Sequence, residues 1–444
     1  MAEIRLPYEV ERIIGLLEEQ GFEAYAVGGC VRDSLLGRKP DDWDITTDAT
    51  PDQVRRIFRR TIDTGIEHGT VTVRMHGQSF EVTTYRIDGD YSDGRHPDEV
   101  QFTPSLEEDL KRRDFTINAM AYHPKRGFVD LFGGRQDLKE QTIRCVGDPL
   151  ERFGEDALRM LRALRFSAQL GFVIDEETFA AIRRLHQTID KVSAERIQTE
   201  LVKLLVSEHP ERMLDVYESG LSAAFLPEWD VLFETPQNTA HHCADVGRHS
   251  VMVMQALPCD RVLRIAGLLH DIGKPLSRKT DEKGIDHFVG HPQVGEQMTK
   301  KILRRLKFDN DTIYNVARLV RFHDERPKPT ARNVRRLAAR VGDDAMEPLF
   351  ALKRADIAGQ SDFHRDEKLA DVDALEVFYR KSLEQKDCLT QKDLAIGGAE
   401  LIALGIEKGP QIGRILKTLL AEVVDEPEKN TAEYLTKRVK EWLV

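Results

Sequence analysis

The stretch EAYAVGGCVRD, residues 23–33, followed ten residues on by Asp42-Trp43-Asp44, decides how the first third of the chain folds. Glu23 to Val27 alternates as a strand does, and Gly28-Gly29-Cys30-Val31-Arg32-Asp33 turns out of it into a short helix. Small residues at such a turn let backbone amides approach a phosphate, although two glycines before a helix also make an ordinary tight turn. Asp42 to Thr46 reads as the next strand. Its period of two puts both carboxylates on one face and Trp43 on the other. Neighbouring carboxylates repel unless a cation lies between them, and oxygen ligands of this kind suit Mg²⁺, which also holds the phosphates of a nucleoside triphosphate.

Working outward, Thr70–Met75 and Phe80–Tyr85 read as a hairpin around His76-Gly77-Gln78-Ser79. Phe80, Val82 and Thr84 share one face of it, and Glu81, on the other, is either a third carboxylate of the site or an exposed strand residue. RRDFTINAMAY, residues 112–122, couples paired arginines to polar groups suited to a triphosphate and a ribose. Glu155, Asp156, Arg159, Arg162 and Arg165 read as one helix on which Asp156 and Arg159 share a face. The same spacing also describes a surface salt-bridge ladder.

At 444 residues the chain is too long for one ordinary core, so two to four domains are expected. From about Asp148 the pattern is helical, broken at Pro227, Pro236, Pro275, Pro292, Pro327, Pro329 and Pro410. Thr390 and Asp393 have the spacing of a capping box, and Gly409-Pro410 places a proline in the first turn of the next helix. No stretch is apolar enough to span a bilayer, Met1 to Glu11 lacks the apolar block of a signal peptide, and five scattered cysteines fit a reducing compartment; a cytoplasmic location is expected. A net charge of −11 disfavours coating nucleic acid by global electrostatics, so any RNA contact must be local. Three basic clusters, Arg55/Arg56/Arg59/Arg60, Lys300/Lys301/Arg304/Arg305 and Arg332/Arg335/Arg336/Arg340, read as solvated helix faces or as phosphate contacts.

Taken in order, GGCVRD, DWD, RRDFTINAMAY and EDALRMLRALRF resemble the class II tRNA nucleotidyltransferase and bacterial poly(A) polymerase superfamily across about the first 230 residues. The resemblance implies that Asp42 and Asp44 bind a catalytic Mg²⁺, to which the hairpin geometry adds Glu81 as a candidate, and that Gly29 and Arg32 with Arg113 hold the incoming nucleotide. Asp156, Arg159, Arg162 and Arg165 would complete the pocket. An Asp acceptor beside an Arg donor matches the Watson–Crick edges of cytosine and adenine and mismatches those of uracil and guanine, so a side-chain pair can stand in for a template. The implied reaction is attack of a tRNA 3′ hydroxyl on the α-phosphate of CTP or ATP with loss of pyrophosphate. The Gly- and Asp-rich segment Tyr85–Pro97 resembles the flexible loop of the CCA-adding branch, and Asp393 to Pro410 resembles its tail. Poly(A) polymerase is the alternative within the superfamily.

A second set, His249, His270-Asp271, His291, His323 and Asp356, supplies ligands for two metals with Asp271 able to bridge them. With Leu268-Leu269-His270-Asp271-Ile272-Gly273-Lys274 it resembles the HD phosphohydrolase superfamily over about residues 235–365. Imidazole-rich sites favour Mn, Fe, Ni, Co or Zn over Mg. The implied activity is metal-assisted phosphoester hydrolysis, with a 2′,3′-cyclic phosphate or a phosphate at a damaged tRNA end as the expected substrate; a helical scaffold without turnover and a nucleotidyltransferase/HD signalling enzyme are the rivals. His241, His242 and His287 read as core or supporting residues.

The expected fold is therefore α+β: a mixed-sheet nucleotidyltransferase head of polymerase-β-like palm type over residues 1–147, then an all-α neck for base recognition (148–230), an HD-type metal domain (231–365) and a tRNA-binding tail (366–444). tRNA, CTP and ATP are the expected partners, no membrane is, and the oligomeric state is open.

Overall fold

The computed structural model describes residues 4–88 and 100–443, which form two compact units, Met1–Phe225 and Leu226–Val444. Most of the loop expected at Tyr85–Pro97 falls outside the described residues.

In the first unit the strands are β1 (Ala24–Val27), β2 (Asp44–Thr47), β3 (Thr61–Gly65), β4 (Thr70–Met75), β5 (Gln78–Thr84), β6 (Arg86–Asp88), β7 (Val100–Phe102), β8 (Met120–His123) and β9 (Gly127–Asp130). Seven of them form one mixed sheet in the order β3-β4-β5-β2-β1-β8-β9, while β6 and β7 make a separate ribbon. The β4–β5 turn is tighter than its sequence suggests. His76 and Gly77 both take positive φ (48° and 82°) and close a two-residue turn, so Gln78 and Ser79 join the strand opposite Met75 and Arg74.

Register builds the working end of the sheet. Val27 faces Asp44 across the antiparallel β1–β2 pair, and Asp44 faces Glu81 across the parallel β2–β5 pair. β2 begins at Asp44, so Asp42 and Trp43 precede the strand instead of lying inside it. Ile45 and Val82 are buried on one face of the sheet; the helix Leu106–Lys111 brings Asp109 against Thr46 on the other.

The helix expected through Glu155 and Arg165 is two helices, Pro149–Glu155 and Leu158–Leu170. Asp156 interrupts them with extended backbone (φ −141°, ψ 104°), and its carboxylate caps the second by accepting from Leu158 N at 3.0 Å. The neck also carries one departure from an all-helical reading, a two-residue strand, Val173–Ile174, paired parallel to Thr142–Ile143.

The second unit is helical apart from the small hairpin Lys279–Thr280/Asp286–His287. The helices Val246–Ala256, Arg261–Leu269, His291–Arg305, Asn310–Phe322 and Met346–Ala358 converge on one buried histidine cluster. Gly273 is required there: a Cβ would lie 2.3 Å from His291 O and 2.6 Å from Gly295 N, so any larger residue would push the His291 helix away. A separate apolar core, including Leu401, Leu419, Val423 and Leu435, holds the C-terminal helices together. The Thr390/Asp393 capping box and the first-turn Pro410 are both present. No helix among the described residues is long and apolar enough to cross a membrane.

Candidate functional sites

At the end of the sheet, Gly28 leaves β1 with φ 82° and ψ −131°, and the helix Gly29–Leu35 starts immediately after it. A Cβ on Gly28 would come within 3.0 Å of an Arg113 guanidinium nitrogen, so the glycine is what lets this arginine sit over the turn. Asp44 lies within the fields of Asp42, Glu81 and Arg113. Burial first, then the charges of Asp42 and Glu81, push its carboxyl up to about 6, with Arg113 opposing. The three carboxylates are thus gathered although Asp42 lies outside the strand, and Asp42 and Glu81 are exposed where Asp44 is half-buried.

Arg113 is held from behind by a residue whose role the sequence did not disclose. Asp109 is fully buried; its Oδ1 accepts from Arg112 at 2.7 and 3.1 Å, and its Oδ2 accepts from Arg113 at 3.3 Å and from Thr46 Oγ1 at 3.1 Å. Burial opposes its charge, but Arg112 and Arg113 outweigh burial and keep the carboxyl below its ordinary value. In the sequence it is the last of three acids, Glu107-Glu108-Asp109; the i,i+4 spacing to Arg113 was the only signal.

Arg32 is buried and bound internally: it forms a bidentate pair with Asp33 at 2.9 Å and donates to Asn118 Oδ1 at 2.7 Å. Asn118 donates in turn to Asp114 at 3.0 Å, and Asp114 accepts from Arg162 at 2.6 and 3.0 Å. Burial opposes the charge on Asp114 and Arg162 overcomes it, so the carboxyl lies well below the usual range. Arg165 pairs with Glu200 at 2.7 Å; burial pulls it down to about 10, with Glu200 opposing. Phe166 ties the motifs together, with the guanidinium carbons of Arg32, Arg162 and Arg165 at 5.0, 5.5 and 3.6 Å from its ring centre. The Asp156 carboxylate accepts from Arg196 at 2.7 Å, and the Arg159 guanidinium pairs with Glu155 and donates to the carbonyl of Arg112 at 3.2 Å.

The second site brings all six expected residues together. His249, His270, Asp271, His291, His323 and Asp356 are all buried. Every imidazole donates Nδ1–H to a backbone carbonyl: His249 to Gly359 (3.0 Å), His270 to Gly267 (2.8 Å), His291 to Phe288 (2.8 Å) and His323 to Val320 (2.7 Å). In the neutral ring this leaves Nε2 as the lone pair; a protonated His270 would instead donate from Nε2 to Asp271. Nε2 of His249 faces Nε2 of His270 at 3.3 Å, and His291 faces His323 at 3.3 Å. Two lone pairs so placed repel unless a cation joins them, and nitrogens bound at about 2.0–2.1 Å to one tetrahedral ion lie about 3.3–3.4 Å apart. Asp271 serves both pairs: Oδ2 is 3.1 Å from His270, Oδ1 is 3.3 Å from His291 and 3.5 Å from His323. Asp356 closes the first group at 3.0 Å from His249. Burial disfavours the charge of Asp271, and His270 and Lys274 reverse it, so the carboxyl is held well below its ordinary value.

Lys274 Nζ lies 2.7 Å from Asp271 Oδ2 and donates to Gln237 Oε1 at 2.6 Å. His242 stacks edge-on to His249 with ring centres 5.0 Å apart, as a supporting residue would. His287 is exposed and paired with Asp281 at 2.8 Å, so it is not a core residue. A cavity of 990 Å³ opens onto the histidines. Of the basic clusters, the third is consumed internally: Arg332 and Arg336 clamp Asp425 at 2.5–2.6 Å, Arg340 pairs with Glu325, and Arg335 is buried against Val424 O. In the second, Arg305 pairs with Glu228 at 2.6 Å and Lys300 with Glu296 at 2.5 Å.

Residues 24–144 match the family model of the poly A polymerase head domain, residues 171–233 that of the probable RNA and SrmB-binding site of polymerase A, and residues 239–372 the HD domain. Fold and sites together define a nucleotidyltransferase with a poly(A) polymerase-type head and an HD domain. A CCA-adding enzyme of Levilactobacillus brevis is 37% identical over 429 residues, 94% of each chain, and one of Enterococcus faecalis is 56% identical over 198 residues, 45% of this chain and 49% of that one. The crystal structure of the Bacillus stearothermophilus CCA-adding enzyme in complex with CTP superposes with a TM-score of 0.72 at 29% identity, covering 99% of both chains. The chain belongs to the CCA-adding enzyme family.

Proposed function

We propose that this chain extends tRNA by C, C and A at its 3′ end, drawing on CTP and ATP without a nucleic-acid template. The observation that carries the reading is the meeting, at one end of the sheet, of Asp42, Asp44 and Glu81 with the Gly28-Gly29 turn and Arg113. Asp42 and Asp44, with Glu81 beside them, would hold Mg²⁺, whose chemistry here is to neutralise charge on the reacting phosphates. The donor set fits: hard oxygens only, with burial and then the charges of Asp42 and Glu81 raising the Asp44 carboxyl, a rise that a bound cation would offset. Gly29 would offer its backbone N–H to phosphate, while Arg113, whose buried Nε has no hydrogen-bond partner among the described residues, would face the triphosphate. Asp156 and Arg159 would exchange their present partners for the base edge, with Arg32, Arg162 and Arg165 around Phe166 bracing the pocket. The tRNA 3′ oxygen attacks the α-phosphorus, the bond to the bridging oxygen of pyrophosphate breaks, and no covalent enzyme intermediate forms. Asp42→Ala with Asp44→Ala should abolish transfer while melting normally; retained transfer would move the site elsewhere.

The facing imidazoles favour a second activity, a metal-dependent phosphohydrolase at the HD centre acting on phosphate at a tRNA 3′ end. His249, His270, Asp271 and Asp356 would hold one ion and Asp271, His291 and His323 another, drawn from Mn, Fe, Ni, Co and Zn; such ions activate water and polarise phosphoryl oxygens. The products would be a free hydroxyl, the group that the head extends, and inorganic phosphate. Release of phosphate from a 3′-phosphorylated RNA, lost in His270→Ala, is the test.

A further inference from the structure

Next to the HD ligands stand two cations, Arg326 and Lys368, that neither proposed activity uses. Arg326 lines both the 990 Å³ cavity and a smaller recess behind it, and Lys368 lines the recess. Lys368 Nζ donates to the neutral Gln360 Oε1 at 2.8 Å, and Gln360 Nε2 donates to Asp356 Oδ1 at 3.0 Å. One amide side chain therefore links a carboxylate of the metal site to an ammonium.

Carboxylates share both linings: Asp271, Asp286, Asp324 and Asp356 the cavity, and Glu325, Asp356 and Asp371 the recess. Arg326 has one carboxylate partner, Asp324 at 3.1 Å, and it is an exposed pair. Glu325 is committed to Arg340 at the surface. Lys353 is buried and spent on the carbonyls of His323 and Glu325. Burial, then the charge of Arg326, lowers the pKa of Lys368, with Asp356 opposing. Beside them, His241 lines the cavity edge-on to the ring of Phe363, 5.0 Å between centres, and Phe363 is 45% exposed, a surface on which a base can stack.

We propose that Arg326 and Lys368 form a second-phosphate subsite, so that the HD centre takes the 3′-phosphorylated end of a polynucleotide strand, with the last phosphodiester on these cations, in preference to a mononucleotide. The inference rests on the hydrolase reading for its turnover but not for its binding. In the reaction, water adds to the terminal phosphorus and the P–O3′ bond breaks; the 3′ oxygen takes a proton from the water and inorganic phosphate leaves. Cations suit the penultimate phosphate because each keeps donors beyond those used within the protein.

The test compares adenosine 3′-monophosphate, adenosine 3′,5′-bisphosphate and a triadenylate bearing a 3′-phosphate. Calorimetric titration of full-length, chelator-treated protein reads binding, and phosphate release with Mn²⁺ reads KM. The bisphosphate and the triadenylate should each bind at least tenfold tighter than the monophosphate, with KM following. Arg326→Gln with Lys368→Gln, both near the surface and conservative in size, should bring the three affinities together with unchanged melting. Equal affinities in the parent protein, or a preference that survives the double variant, would overturn the subsite. A gain for the bisphosphate without one for the triadenylate would overturn the strand end in favour of a free nucleotide. No phosphate release with any divalent metal would remove the hydrolase reading and leave the titration to decide the subsite.

Discussion

Replacing Asp109 by Asn keeps the volume of the side chain and removes the charge that anchors Arg113. The carboxylate is fully buried and accepts four hydrogen bonds, three from guanidinium groups and one from Thr46. An amide can still accept on one oxygen, but it turns an N–H toward a guanidinium, so one or two charge-assisted bonds are lost at about 1.5–3 kcal/mol each. Losing about 3 kcal/mol in a unit of this size lowers its melting temperature by about 6–12 °C. The functional loss follows from the neighbour: Arg113, no longer held over the Gly28 turn, forfeits about 1.5–3 kcal/mol of nucleotide positioning, or about 10- to 160-fold in kcat/KM. Because the Arg113 guanidinium adjoins the carboxylates and the glycine turn, the loss should be equal for CTP and ATP and should fall mainly on KM. Single-nucleotide incorporation kinetics below the melting transition, with Asp109→Glu as the charge-retaining control, read this directly. Unchanged kcat/KM in a folded Asp109→Asn protein, or a loss confined to one nucleotide, would refute the reasoning.

Other outcomes follow from the same geometry. Metal should stabilise the second unit: at a hundredfold excess over Kd a bound ion adds about 2.7 kcal/mol, a rise of about 5–11 °C. Calorimetry with Mn²⁺ against Mg²⁺ should show the larger rise with Mn²⁺ and none in His270→Ala/His323→Ala; an undiminished rise in that variant would remove the paired-imidazole argument. Since the Asp44 carboxyl is pushed up to about 6, protons compete with its metal, so the half-saturating Mg²⁺ for transfer should climb as pH falls below about 6 and level off above it. A flat profile from pH 5 to 8 would contradict the burial of Asp44. Native alkylation read by mass spectrometry should label the exposed Cys243 and Cys259 and spare Cys30, Cys145 and Cys388, whose burial pushes each thiol up to about 12; rapid labelling of Cys30 would contradict its packing behind Asp44.

The sequence disclosed the parts of the sites that depend on local periodicity and order. Strand alternation placed Glu81 opposite the apolar face of its strand, and the order of histidines and aspartates anticipated a cluster whose members lie up to 107 residues apart. What it hid were contacts made by chain segments that meet only in the fold. Asp109 looks like one more acid in a helix's first turn until Thr46, 63 residues earlier, is placed against it. Phe166 looks like an apolar helix residue until Arg32 arrives over its ring. Apolar periodicity continues across the break at Asp156, whose side chain caps the next helix, and Gly154 two residues earlier lies inside the first helix, so neither marks the boundary plainly. Asp42 was placed in the strand for a similar reason, since alternation does not reveal where pairing with β1 stops.

The central claim is tested most directly by giving the purified protein and Mg²⁺ a tRNA transcript that ends before CCA, with CTP, ATP or both, and resolving the products at single-nucleotide length. Growth by two nucleotides with CTP alone and by three with both, then arrest, is the predicted result. Open-ended growth on ATP alone, or no growth with either nucleotide, would contradict it.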